Sequence, residues 1–124
     1  MLSFARDLRI MDDLIARIAA NEDVDPAVAR KAVAIIISFL SREGPPDQVK
    51  VLFDKLPGAR ELAQEAAGGS SGIMGAFNDL TRAGLGFGSV QRVTREFVTY
   101  ARGQVGDREV NEVINAIPGL GQFI

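Results

Sequence analysis

Apolar residues recur every three or four positions along most of this chain, the spacing that puts them on one face of an α-helix. In the first stretch, for example, Leu8, Met11, Ile15 and Ile18 follow one another in steps of three, four and three. No stretch has the strict apolar–polar alternation of a half-buried strand bounded by hairpin turns. The pattern predicts an all-α fold, a compact bundle of six or seven helices in a single domain over residues 1–124.

The second predicted helix is unusually apolar. Asp25 followed by Pro26 predicts its start, because Asp accepts hydrogen bonds from free amides and a proline at the first helical position loses none. Gly44 and the prolines after it predict its end. Its middle, residues 32–40, is apolar nearly all round, since Ile35 faces away from the main apolar stripe. Such a helix is either central in the domain or covered by a partner.

Two glycine-rich segments divide the rest of the chain. Residues 68–72 contain only Gly and Ser, which predicts a connector. A helix of two to three turns is expected over 73–83, before a second glycine-rich break at 84–88. We expect Ser89 to cap a long helix after that break, and Asp107 to begin another short one.

The chain also repeats its own pattern. Residues 24–63 align with residues 85–124 without a gap, and 14 of the 20 apolar positions in the first segment are apolar in the second, where random pairing gives between eight and nine. Each segment has a long helix, a short helix and a Pro-Gly corner in the same order. This predicts two long-helix/short-helix repeats related by a pseudo-two-fold axis, with the first helix and the 73–83 helix at the sides.

The corners consist of Leu56, Pro57 and Gly58 in the first unit and of Ile117, Pro118 and Gly119 in the second. A proline pushes the residue before it out of helical geometry, and Pro57 is expected to open the next helix at its first position. With these corners the sequence resembles small all-helical bacterial domains of unknown function, whose units have a long helix, a short helix and a Leu-Pro-Gly-like corner. The resemblance implies an all-helical fold and a bacterial origin, and it implies no activity.

Composition excludes several kinds of chemistry. The chain has no cysteine and no histidine, which removes disulfides, thiol nucleophiles, imidazole bases and the common zinc ligand sets. Fourteen basic residues are interleaved with sixteen acidic ones, so no basic patch for nucleic acid is expected. The longest strongly apolar run is about half of a membrane span, and none resembles a signal peptide. We expect a cytoplasmic protein without cofactor, metal or nucleic-acid partner.

Motifs that suggest chemistry have simpler interpretations. Asn21, Asp23 and Asp25 have the alternate spacing that begins a calcium loop, but Pro26 and Ala32 stand where that loop needs Gly and Glu. An acidic turn that caps a helix is the better interpretation. The glycines at 84–88 lack the preceding strand of a dinucleotide-binding loop and are interpreted as a tight turn.

No catalytic residue is assigned. Ser70 and Ser71 are possible nucleophiles, but without histidine their base would be a carboxylate or one of only three lysines, and nothing in the sequence places any of these nearby. A non-enzymatic protein is therefore expected.

The leading functional hypothesis is a protein-interaction or self-association module. It rests on apolar residues that a small monomer leaves uncovered, with Ile35 and Val51 as candidates. Arg92, Arg95 and Arg102 lie on one side of the predicted long helix and form a second candidate surface, for an acidic partner. The alternative is a carrier that binds a small apolar ligand between its helices.

Overall fold

Eight α-helices and one short 3-10 turn make up the described part of the chain. The computed structural model describes residues 2–66 and 72–124, and it describes the side chains of 10–66, 72–122 and 124. The helices are α1 (Leu2–Asn21), α2 (Pro26–Glu43), α3 (Pro46–Asp54), α4 (Ala59–Ala63), α5 (Gly72–Ala83), α6 (Phe87–Val105), α7 (Asp107–Ala116) and α8 (Leu120–Phe123), with the 3-10 turn at Gln64–Ala66. The all-α prediction is confirmed, but the predicted number of six or seven helices is wrong: the described residues form eight, because the chain makes one more short helix, α8, after the second corner.

Helix α2 lies at the centre of the fold. As predicted, Asp25 caps it, with its Oδ1 accepting a hydrogen bond of 2.8 Å from the amide of Ala27, and Pro26 is its first residue. It packs against α1, α3, α4, α5 and α6, so its broad apolar surface is covered by the chain's own helices. Ile35 is half-buried and packs against the core.

Both corners bend at a glycine. Gly58 (φ 89°, ψ −9°) and Gly119 (φ 84°, ψ −15°) both have left-handed backbone conformations, and α4 and α8 begin at the next residue. The prediction that Pro57 opens a helix is wrong, because the left-handed Gly58 reverses the chain after the proline. Pro57 is half-buried and Pro118 is exposed, so the two prolines differ more than the two glycines do.

Helix starts recur at a constant spacing. Helices α2 and α6, α3 and α7, and α4 and α8 begin 61 residues apart in each case. The turns that precede α2 and α6 follow the same rule. The amide of Val24 bonds to the carbonyl of Ala19, and the amide of Leu85 bonds to the carbonyl of Leu80, again 61 residues on.

The contacts between helices also occur in matching pairs. α1 and α5 each pack against both α2 and α6, and α3 packs against α7. Helices α1 and α5 also each bring one side chain close to a corner glycine. A β-carbon built on Gly58 would lie 3.0 Å from Cγ of Met11 in α1, and one built on Gly119 would lie 3.1 Å from Cδ1 of Ile73 in α5.

Ser89 does not cap the long helix, because α6 already begins at Phe87 with the extended Gly86 before it. Most of the predicted 68–72 connector lies outside the described residues, and Gly72 is already the first residue of α5.

Within residues 2–66 and 72–124, no helix is both long enough and apolar enough to cross a membrane.

Candidate functional site

The two apolar candidates from the sequence lie in different surroundings. Val51 on α3 is 42% exposed, whereas Ile35 is packed against the core. Val51 lines a shallow groove between α3 and α7 whose other walls are polar or acidic, with Glu109 and Glu112 on the α7 side. The all-round apolarity of α2, from which an uncovered surface was predicted, is explained by the central place of this helix in the fold.

The three candidate arginines are engaged separately along α6. Arg92 Nε lies 3.1 Å from Oε1 of Glu22 at the end of α1. Arg102 Nη1 lies 3.8 Å from Oδ1 of Asp107 at the start of α7. Arg95 Nε donates a hydrogen bond of 3.0 Å to the backbone oxygen of Ile124. All three arginines therefore have a partner within the same chain.

An exposed apolar surface lies on the outer side of α5 and at the start of α6. Met74 is 71% exposed and Phe87 is 78% exposed. The ring of Phe87 stacks on that of the half-buried Phe77, with 5.5 Å between ring centroids. Met74 and Phe77 are three residues apart on one helix and so lie side by side. Together Met74, Phe77 and Phe87 form a continuous strip, here called the apolar ridge.

Beneath α5 lies an apolar cavity of about 60 Å³. Its walls come from α2, α3, α5, α6, α7 and the C-terminal segment, and include Phe39, Ala76, Leu80, Phe97 and Val113. Most of the lining is buried. The half-buried lining residues are Ile73, Phe77 and Ile124, so these mark the side from which the cavity faces solvent.

The cavity wall offers almost no polar chemistry. Its polar member is Thr94, and the Oγ1 hydroxyl of this residue donates a hydrogen bond of 2.8 Å to the carbonyl of Val90. In the part of the chain described, every buried side-chain nitrogen or oxygen has a hydrogen-bond partner. A molecule in this cavity would be held by apolar contact and shape.

The acidic turn before α2 has structural partners. Asp25 caps α2, Asp23 takes up a left-handed backbone conformation (φ 53°), and the Asn21 side-chain amide donates to the carboxylate of Glu96. Among the described residues no group of three or more acidic side chains is arranged to hold a metal ion. Ser70 and Ser71 lie outside the described residues.

The side chains with shifted pKa values belong to surface ion pairs, apart from one tyrosine. The hydrogen bond from Arg30, with Nη2 2.6 Å from Oε2 of Glu65, lowers the pKa of that carboxyl. Arg60 and then Lys50 lower the pKa of Asp54 in the same way. Burial raises the pKa of Tyr100, whose hydroxyl donates to the carbonyl of Ile10 at 3.2 Å. These groups support the fold and lie apart from the cavity lining.

The apolar ridge was not predicted from the sequence, although a signal for it is present. Residues 72–91 contain two charged side chains, Asp79 and Arg82, in 20 positions, whereas 24% of the whole chain is charged. A charge-poor stretch that contains exposed Met and Phe has the composition of an interface core. We predicted a helix from Met74 and Phe77 and a turn around Phe87, and neither prediction considered the three residues together.

Comparison of the chain with protein-family models, with curated proteins and with solved structures finds no match.

Proposed function

We propose that this chain is a non-enzymatic helical module that associates with a second copy of itself through the apolar ridge. The observation that carries the proposal is the exposure of Phe87 and Met74 on either side of Phe77. Large apolar side chains scattered singly over a surface are ordinary, but contiguous ones usually mark a contact site. Phe and Met are also enriched at the centres of protein interfaces.

The charge around the ridge favours a second copy as the partner. Asp79 and Arg82 are the charged residues of segment 72–91 and cancel each other. A two-fold dimer brings the same patch of both copies together, so any net charge on the patch would repel itself. A neutral patch avoids this repulsion. It also offers no opposite charge that would attract a strongly charged partner.

The area of the ridge limits the affinity that we expect for the dimer. A stable interface buries about 800 Å² per partner. Three side chains that bury at most roughly 150–250 Å² each supply only part of this area. We therefore propose a weak dimer, with a dissociation constant in the micromolar range, which forms and separates readily.

Light scattering after size-exclusion chromatography tests this proposal. The average mass of the native chain should rise toward that of a dimer as its concentration increases through the micromolar range. Phe87→Ser should stay monomeric, because it removes the most exposed ring of the ridge. Val51→Ser is the matched control, since it removes an exposed apolar side chain outside the ridge, and it should dimerise like the native chain. A native chain that stays monomeric throughout, or an equal effect of both variants, contradicts the proposal.

We further propose that the architecture consists of two four-helix units, α1–α4 and α5–α8, related by a pseudo-two-fold axis. Support comes from the 61-residue spacing of helix starts, from the shared conformation of Gly58 and Gly119, and from the way in which α1 and α5 each cover one corner. In this arrangement α2 and α6 cross near the axis, and α3 meets α7 across it. The side helices are then true members of the repeat, which extends the 24–63 and 85–124 units expected from the sequence.

A further inference from the structure

We infer that the apolar cavity beneath α5 receives the end of the Met74 side chain from a second copy of this chain, so that each copy of the dimer inserts its methionine into the other. The inference rests on the proposed dimerisation through the apolar ridge, and it adds which side chain crosses the contact and where that side chain goes. Three features of the molecule support it: the mouth of the cavity, its volume, and the chemistry of its walls.

The mouth of the cavity lies at the ridge. Phe77 is the middle residue of the ridge, and it is also one of the half-buried residues on the solvent-facing side of the cavity. A two-fold contact brings the same patch of both copies together. Met74 of the second copy then lies against the ridge, within reach of the opening that Phe77 borders. By the same symmetry, Met74 of the first copy meets the opening of the second.

The volume of the cavity distinguishes between the side chains of the ridge. An apolar cavity of roughly 150 Å³ holds the six carbons of benzene, so a cavity of about 60 Å³ has room for about two or three heavy atoms. The rings of Phe77 and Phe87 are too large for this space. The end of Met74, with Cγ, Sδ and Cε, has the right size, and its rotatable bonds let it follow an irregular cavity. Met74 is 71% exposed, so few contacts within its own copy oppose the insertion.

The walls favour a thioether over water. A buried water molecule needs about two to four polar partners. The lining side chains offer one hydroxyl, that of Thr94, whose proton is already donated to the carbonyl of Val90. Phe39 and Phe97 also line the cavity, and methionine sulfur makes favourable contacts with aromatic rings. Insertion of Met74 therefore replaces an empty apolar space with packed apolar contact.

Insertion also enlarges the contact between the two copies. The three side chains of the ridge supply only part of the roughly 800 Å² per partner that a stable interface buries. Ile73 and Ile124 are half-buried on the solvent-facing side of the cavity. An inserted Met74 covers both of them and adds its own buried length, so the contact extends from the ridge into the cavity.

Two single substitutions remove the insertion from opposite sides. Ala76→Leu fills the cavity and leaves all three ridge side chains in place. Met74→Ala removes the inserting side chain and leaves the cavity open. By light scattering, each variant should dimerise roughly tenfold more weakly than the native chain, or more weakly still, which is the effect of burying one apolar side chain. Ala16→Leu is the matched control: it adds the same side chain at an exposed position of α1 and should dimerise like the native chain.

A mixture of the two variants tests insertion between copies. A pair of one Ala76→Leu copy and one Met74→Ala copy keeps one complete insertion, because the first supplies Met74 and the second supplies an open cavity. Neither variant alone forms a complete insertion. The average mass of an equimolar mixture should therefore exceed the mean of the masses of the two variants, measured separately at the same total concentration. A mixture whose mass equals that mean overturns the inference.

A measurement on the native chain decides the question even if Ala76→Leu does not fold. Leu80 is a wall residue of the cavity and is 3% exposed, so a second copy reaches it only through the opening. Isotope-filtered NMR should show an intermolecular signal between the Met74 methyl group and the methyl groups of Leu80. A dimer with signals from Met74 to Phe77 and Phe87 but none to Leu80 overturns the insertion and leaves dimerisation through the ridge standing. A native chain that stays monomeric overturns both.

Discussion

Gly58 and Gly119 stand 61 residues apart and share one left-handed backbone conformation, with φ of 89° and 84° and ψ of −9° and −15°. Each ends a Pro-Gly corner, and a β-carbon built on either glycine would meet a side chain of another helix, Met11 of α1 for Gly58 and Ile73 of α5 for Gly119. A left-handed residue is costly for anything but glycine, so the corner depends on the absence of a side chain.

Gly119→Ala should therefore lower the free energy of unfolding by about 1–2 kcal/mol, the cost of left-handed geometry for a residue with a β-carbon. Gly58→Ala should have a similar effect, since the two corners are built alike. Gly103→Ala is the control, because Gly103 lies inside α6 with open space around its α-carbon, and this change should stabilise the helix by about 0.5–1 kcal/mol. Urea unfolding measures all three. Loss of stability at only one corner would argue against equivalent units.

Two substitutions in the core test the packing at Leu14 and at Ala76. Leu14→Ala should cost about 3–5 kcal/mol, because it opens a cavity at a fully buried position. Ala76→Leu should raise the free energy of unfolding by about 1 kcal/mol, as expected for filling some 60 Å³ at about 24 cal/mol per Å³. A loss of stability in Ala76→Leu would mean that the cavity cannot accept a leucine side chain.

The two long helices α2 and α6 begin differently. Asp25 caps α2 with its carboxylate, whereas Gly86, 61 residues on, stands before α6 with extended backbone and no side chain. Gly86→Asp should stabilise the protein by roughly 0.5–1 kcal/mol, because nothing lies near the site of the new β-carbon, a residue other than glycine lowers the entropy of the unfolded chain, and Asp supplies the missing acceptor. Gly86→Ala separates the two effects, because it stiffens the backbone without a cap. Equal thermal stability of these two variants would show that the new carboxylate does not cap α6.

Tyr100 offers a test by pH. Burial raises its pKa, with Asp13 adding to the effect and Arg17 opposing it. The folded chain holds the neutral phenol more tightly than the unfolded chain does. The contribution of Tyr100 to stability is therefore present below the unfolded pKa of about 10 and is lost as pH rises through the higher folded pKa.

The chain has one tyrosine, so phenolate absorbance reports Tyr100 alone. The absorbance midpoint should lie at higher pH in native buffer than in concentrated urea. Tyr100→Phe should weaken the alkaline loss of stability and also remove the hydrogen bond to Ile10. Equal midpoints in the two solvents would contradict the buried environment of the phenol.

Helix type and most helix boundaries were predictable from the sequence because the apolar period and the strong breakers act locally. Asp25, Pro26 and Asp107 mark helix starts where they were expected. The corner after Pro57 was predicted wrongly, because the left-handed state of Gly58 competes with the helix-opening preference of proline. Ser89 lost its expected role because α6 had already begun two residues earlier.

The candidate site was largely hidden from sequence reasoning, because it depends on which helices meet. Ile35 looked exposed by periodicity, but the central place of α2 surrounds that helix with neighbours. The cavity is lined by residues of five helices and of the C-terminal segment, and no local pattern contains that arrangement. The ridge joins Met74 and Phe77 on α5 to Phe87 on α6 through the turn between the two helices.

The central functional claim is that a second copy of the chain covers the apolar ridge. Isotope-filtered NMR on a mixture of labelled and unlabelled protein tests it most directly, because only contacts between copies are then recorded. We predict intermolecular signals between the Met74 methyl group and the rings of Phe77 and Phe87, at concentrations where the scattering mass rises. Dimers whose intermolecular signals come from the groove around Val51, or a chain that gives no intermolecular signals at all, would contradict it.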